Sequence, residues 1–169
     1  MSISSDQFKV QCQKFVEFCT DWSLNEHVDK NTPYILSKNE FRKIGNNVYG
    51  FEYNVIYSES YEVPVMYFSV HKQDGSIAGL EEVLVNSTED SVVSQVEHPV
   101  LFRPFYQVHP CKTRDFMKFH HVSNYLIAWL STIGTLIDLK FDVQPQSLSM
   151  VQTQRLSQFE PSTRSDHAL

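Results

Sequence analysis

The chain is poor in the residues that build metal sites and disulfide frameworks. Its three cysteines, Cys12, Cys19 and Cys111, are an odd and scattered set with no Cys-x-x-Cys pair. That excludes a disulfide scaffold and argues against zinc. No stretch approaches the ~20 apolar residues of a membrane-spanning helix. The first residues, MSISSDQFKV, carry an early acid and no apolar run of signal-peptide type. Positive charge is also scarce, with 14 Lys and Arg against 20 Asp and Glu and a net charge of −6. Broad nucleic-acid binding needs clustered basic residues, so that class is disfavoured. There is no phosphate loop, no Ser-His-Asp order and no internal repeat. His120 and His121 are adjacent and point to different faces of a helix, whereas helical metal pairs stand four apart. Glu81-Glu82 and Glu89-Asp90 read as solvated acids. The expectation is a cytoplasmic protein with reduced thiols, no metal, no cofactor and no stable membrane insertion.

What is present is core material. The composition is 41% hydrophobic, with 12 Phe, 8 Tyr and 2 Trp in 169 residues, enough for one domain. Phe8, Cys12, Phe15, Cys19 and Trp22 alternate spacings of four and three, which predicts an amphipathic helix. Ser4 and Gln7 have capping-box spacing at its start. Cys12 and Cys19 fall on the apolar stripe and are assigned to packing. Tyr34 to Leu36 is a short strand or loop. Val48 to Tyr57 and Pro64 to His71 read as strands, and the Asp74-Gly75 pair after them as a hairpin turn. Gly79 to Val85 is a strand or a short helical turn.

From Asn86 to Thr113 the prolines Pro99, Pro104 and Pro110 favour extended or turning chain, with room for one strand in Val100 to Val108. A second helical pattern then runs from Asp115 through Phe116, Phe119, Val122, Leu126, Trp129, Ile133 and Ile137, with Thr113 or Asp115 as its cap. Gly134 interrupts the last turns. The fold expected is α+β: an antiparallel sheet of about four or more strands packed on helices in two layers. Residues 1–141 form one domain. Residues 142–169 are a polar tail, rich in Gln, Ser and Pro, with one weak helix and then disorder.

One run stands out chemically: His109-Pro110-Cys111-Lys112-Thr113, just before the second helix. Pro110 stiffens the approach to Cys111. The helix start beyond it favours an anion, and His109 and Lys112 add polar or positive character, so a thiolate is favoured there. A lone loop cysteine is more often inert, and spacing alone leaves both readings open.

Several ordered motifs add to this. Residues 57–68 (YSESYEVPVMYF) resemble a Tyr-Ser-x-Ser-Tyr-x-Val-Pro-Val-x-Tyr-Phe signature. Glu97-His98-Pro99-Val100, then Pro104-Phe105, then the HPCKT run, resemble a second one. With Tyr125-Leu126, Trp129 and Gly134 the resemblance spans residues 48 to 139. It is to the autophagy ubiquitin-like-conjugating enzymes, specifically the tenth member of the autophagy-related series. The related lipid-conjugating enzyme, the third member, also places its cysteine after His-Pro, but without the following Lys-Thr.

The resemblance implies a divergent ubiquitin-conjugating-enzyme-like core and a transferase of autophagy and protein transport. It implies that Cys111 receives a ubiquitin-like modifier (the twelfth member) as a glycyl thioester from an activating enzyme (the seventh), and passes it to a lysine of an acceptor (the fifth). It also implies recruitment to pre-autophagosomal membranes. The carbonyl oxygen of the thioester needs a donor during transfer. Ordinary ubiquitin-conjugating enzymes supply it from His-Pro-Asn, but here His98-Pro99 is followed by Val100. Tyr57, Asn86 and Thr113 are candidates by residue type. Each also has an ordinary reading, as strand end, turn residue and helix cap. His109 is assigned to shaping the loop.

Two other functions compete. A cysteine hydrolase would pair Cys111 with a histidine such as His98. A non-enzymatic binding module would add a partner strand at a sheet edge, with edges expected within residues 48 to 85.

Overall fold

The computed structural model describes residues 3–26, 34–84, 92–111 and 124–140. Asn86, Thr113, the expected helix start at Asp115 and the polar tail lie outside them. Helix α1 spans Ser5–Phe18. The Ser4 hydroxyl accepts from the Gln7 N–H and the Gln7 side chain accepts from the Ser4 N–H, completing the capping box. The apolar stripe buries Phe8, Cys12 and Phe15 as its spacing requires. Trp22 lies beyond the helix end yet stays buried, its ring edge-on to Phe15 at 5.7 Å.

Six strands follow: β1 (Ser23–Glu26), β2 (Tyr34–Ile44), β3 (Asn47–Ser58), β4 (Val63–His71), β5 (Val93–Glu97) and β6 (Pro104–Val108). All pair antiparallel in the order β1-β2-β3-β4-β6-β5. The short helix α2 (Leu80–Val83) interrupts the run after β4, and α3 covers Tyr125–Leu136. The strands of the YSESYEVPVMYF run and the region before it are therefore β3 and β4.

Five expectations change. The strand at Tyr34 runs on to Ile44, because Lys38, Glu40 and Arg42 share one face and pair with each other and with Asp21 and Asp138. The Asp74-Gly75 turn does form, with Gly75 at φ 83°, but its return is a single bridge from His71 to Ile77 and not a full strand. The segment from Val92 to Val108 holds two strands, not one. The described second helix starts at Asn124, which has an extended backbone and accepts the Ile127 N–H on its side chain. An N-cap of this kind ends any continuous helix from Asp115 to Ile137. The sheet edges also differ from expectation. β3 and β4 are interior strands, and the edges are β1 and β5.

The sheet has two unlike faces. Alternate residues Tyr49, Phe51, Tyr53, Val55 and Tyr57 of β3, with Met66, Phe68 and Val70 of β4, face α1 and α3 in the main core. Trp129, Leu126, Leu130 and Ile133 close it from α3. The opposite face holds a smaller cluster of Ile35, Ile56, Val65, Tyr67 and Phe105, over which Val100 and Leu101 of the β5–β6 connection fold. Gly134 lets the chain turn back at the end of α3: a Cβ there would meet the Leu139 carbonyl oxygen at 3.0 Å. No described helix is long and apolar enough to cross a membrane.

Candidate active site

Strand β6 delivers the HPC run. The ladder continues one step past the strand, where the His109 N–H donates to the Val92 carbonyl at 2.8 Å. Pro110 and Cys111 then adopt helical backbone. Proline suits a first helical position, since its φ is already right and its missing N–H would have no partner there. His109 thereby takes the place of an N-cap residue. Its Nδ1 accepts the Cys111 N–H at 3.3 Å, as an Asn or Ser side chain does elsewhere.

The same Nδ1 lies 2.7 Å from the Cys111 sulfur. With the ring proton on Nε2, the thiol S–H donates to Nδ1. With the ring doubly protonated, Nδ1–H donates to the thiolate. Either way, a base and a nucleophile stand within hydrogen-bond reach of each other. From sequence His109 is a candidate supporting residue beside Cys111, read as shaping the loop rather than as a base. The signal available was its position, two residues before the cysteine and one before a helix-starting proline.

Cys111 is exposed, whereas Cys12 and Cys19 are buried. Burial pushes the Cys12 thiol far up, into the range of an inert core group. Among the described cysteines Cys111 alone combines access with a polar partner. The described residues contain no group of three His, Cys, Asp or Glu that could hold a metal.

The other candidates fall as follows. Tyr57 ends β3, and its hydroxyl donates to the Ile3 carbonyl at 2.6 Å. Burial first, then the carboxylates of Glu59 and Glu62, raise its phenol above the ordinary value. In antiparallel register Tyr57 faces Pro64 and Ser58 faces Val63. Chain direction brings the end of β6, and hence Cys111, to this same end of the sheet. The structure therefore gathers Cys111, His109 and Tyr57 at one end.

His98 is elsewhere. It is fully buried, its ring packs against Tyr67 and Phe105, and its Nδ1 accepts the N–H groups of Val100 and Leu101. It sits at the far end of β6, about 17 Å of strand away from Cys111. A hydrolase built on Cys111 and His98 is ruled out by that separation. The solvated-acid reading also needs correction at Glu82, which pairs with Lys72 at 2.8 Å and caps the Gly79 N–H. Those two contacts hold its carboxyl below the usual range.

Comparison with known proteins bears on the family and the fold. The family model described as "Autophagocytosis associated protein, active-site domain" matches residues 7–144. The chain belongs to this family. It is 35% identical over 113 residues to the ubiquitin-like-conjugating enzyme ATG10 of Homo sapiens, covering 56% of this chain and 51% of that one. The ATG10 of Dictyostelium discoideum is 32% identical over 117 residues, covering 53% and 51%. The chain thus spans about half the length of these curated relatives. Two solved structures share the fold. One is the solution structure of KmAtg10 (TM-score 0.54, 17% identity, 83% of this chain and 99% of that one). The other is the crystal structure of the autophagic E2 Atg10 (TM-score 0.55, 15% identity, 83% and 99%).

Proposed function

We propose that Cys111 is the acyl-carrying nucleophile of a ubiquitin-like-conjugating enzyme of autophagy. The observation that carries this reading is the exposed Cys111 sulfur 2.7 Å from His109 Nδ1, in a domain of the autophagy active-site family. The Cys111 thiolate attacks the thioester carbonyl presented by an activating enzyme. A new C–S bond forms, and the activating enzyme's thiol leaves. The ε-amine of an acceptor lysine then attacks the same carbonyl carbon. The C–N bond forms, the C–S bond breaks with Cys111 leaving as thiolate, and the proton shed by the amine nitrogen passes to solvent.

His109 takes the thiol proton in the first step and offers a proton near the leaving sulfur in the second. Pro110 keeps the backbone between them short and stiff. The partners of this chemistry are an activating enzyme, a ubiquitin-like modifier and an acceptor protein, namely the seventh, twelfth and fifth members of the autophagy-related series. The site of action is the cytoplasm, with recruitment to pre-autophagosomal membranes. Asn86 and Thr113 remain the candidate donors to the carbonyl oxygen.

The test is charging in the presence of activating enzyme, ATP and modifier. A reductant-sensitive adduct should form on the wild type. Cys111→Ser should give none, or a slower adduct that resists reductant. Binding to the acceptor without any thioester would instead favour a non-enzymatic module.

A further inference from the structure

At the end of the sheet away from Cys111, the start of β3, the turn after β4 and α2 enclose a cavity of about 280 Å³. Asn47, Val48, Tyr49, Lys72, Asp74 and Glu82 line it. It lies about 26 Å along β3 from Tyr57. Tyr49 closes it on the core side, where its ring is 5% exposed and packs in the main cluster. The Tyr49 hydroxyl makes no hydrogen bond among the described residues and faces the cavity beside Lys72. A buried tyrosine hydroxyl ordinarily has a partner. This one is left for a group that enters from outside.

The rest of the lining is charged. Lys72 and Glu82 form an ion pair at 2.8 Å. Asp74 stands on the turn, where its Oδ1 accepts the Ser76 N–H at 2.9 Å and the Ser76 hydroxyl at 2.6 Å, with Oδ2 outside both bonds. Ser76 holds the Asp74 carboxyl below the usual range, and Lys72 with the Gly79 N–H does the same for Glu82, so both are charged at neutral pH. Two carboxylates against one ammonium leave the pocket negative. Lys72 is already engaged by Glu82, which weakens its hold on any anion. The acceptors that remain are Asp74 Oδ2, the Tyr49 hydroxyl oxygen and the Asn47 side-chain carbonyl.

We propose that this cavity takes an arginine side chain presented by a protein partner: the guanidinium bridges the Asp74 carboxylate and the Tyr49 hydroxyl, and its stem lies on Val48. Arginine suits the site better than lysine, because its planar fork offers several donors in fixed directions to acceptors that stand apart. A side chain suits it better than a free ligand. The volume falls below the ~300 Å³ of the smallest usual small-molecule pockets, and exposed Asn47, Gln73 and Asp74 leave the mouth open. A partner held here sits at the far end of the sheet from the thiol, so it can stay bound while Cys111 is charged and discharged. The inference stands whether or not Cys111 carries an acyl group.

The experiment is titration of the full chain, followed by amide NMR, with a Gly-Arg-Gly peptide blocked at both ends, its Lys and Glu counterparts, and free arginine. The Arg peptide should give saturable shifts at Tyr49, Lys72, Asp74 and Gly75 and none at Cys111. It should bind about threefold or more tightly than the Lys peptide. Tyr49→Phe should weaken it about threefold and Asp74→Asn about tenfold, as loss of a neutral and of a charged hydrogen bond does. The Tyr49 hydroxyl has no bond to lose, so Tyr49→Phe should keep the wild-type thermal midpoint. Shifts that do not saturate, equal binding of the Arg and Lys peptides, or unchanged binding by both variants would overturn the proposal. Preference for the Glu peptide would overturn it in favour of an anion at Lys72, and tighter binding of free arginine than of the peptide in favour of a small molecule. A lowered midpoint in Tyr49→Phe would show that the hydroxyl already serves the fold, and would overturn it too.

Discussion

His109 Nδ1 accepts the Cys111 amide at 3.3 Å and lies 2.7 Å from the Cys111 sulfur, so one side chain both caps the chain turn and stands within hydrogen-bond reach of the thiol. Replacing it with Ala removes both roles. Thioester formation on His109→Ala should slow about 100-fold, the lower end of what a positioned acid–base group contributes. His109→Asn keeps a capping acceptor and should recover folding but not rate. Charging kinetics and thermal midpoints of the two variants separate the roles.

Lys38 is almost fully buried, with Asp21 and Glu40 on its ammonium and the Lys140 carbonyl as a third acceptor at 3.0 Å. Burial alone lowers its pKa, but the two carboxylates outweigh it and the net shift is upward. A raised folded pKa means that this stabilisation is complete below the unfolded value of ~10.4 and is lost as pH rises through the folded one. Lys38→Met should lower stability by about 1 kcal/mol at pH 7, since the Lys140 carbonyl loses its donor and two ion pairs are lost, while Glu40 keeps Arg42 and Asp21 stays in solvent. Denaturant midpoints of wild type and variant should converge only in strong alkali.

Gly134 should resist the usual gain from alanine. In an open helix Gly→Ala stabilises by ~1 kcal/mol. Here the added Cβ meets the Leu139 carbonyl oxygen at 3.0 Å, at the point where the Leu139 N–H also donates to Gly134 at 2.8 Å. Gly134→Ala should therefore destabilise by about 1–2 kcal/mol, measured by urea titration.

Asn124 accepts the Ile127 N–H at 3.1 Å and starts α3. Asn124→Ala should cost about 1 kcal/mol, and Asn124→Ser should restore most of it. Chemical denaturation of the three proteins checks this directly.

Much of this molecule was readable from local pattern. The Phe8–Cys12–Phe15 stripe and the Ser4–Gln7 box specify α1, and the aromatic alternation of β3 specifies its buried face. β2 was legible only from Tyr34 to Leu36, although it runs on through Lys38, Glu40 and Arg42. Their pairing depends on Asp21 and Asp138 from distant chain, and Arg42 also stacks on Phe51 at 4.0 Å. The break at Asn124 was hidden because apolar spacing continues through it, while a cap is decided by one residue's backbone. At the site, Cys111 was legible because proline and the helix start are neighbours in sequence. The His109–Cys111 contact and the Tyr57–Ile3 tie were not, since one depends on a rotamer and the other on residues 54 positions apart.

The most direct test is to map the modifier on the charged protein. Intact mass before reductant should rise by the mass of the modifier less one water. Peptide mapping under mild acid, without thiol, should place the modifier's C-terminus on the peptide that contains Cys111. An adduct on Cys12 or Cys19, or one at a lysine that survives reductant in the Cys111→Ser protein at wild-type rate, would contradict the account.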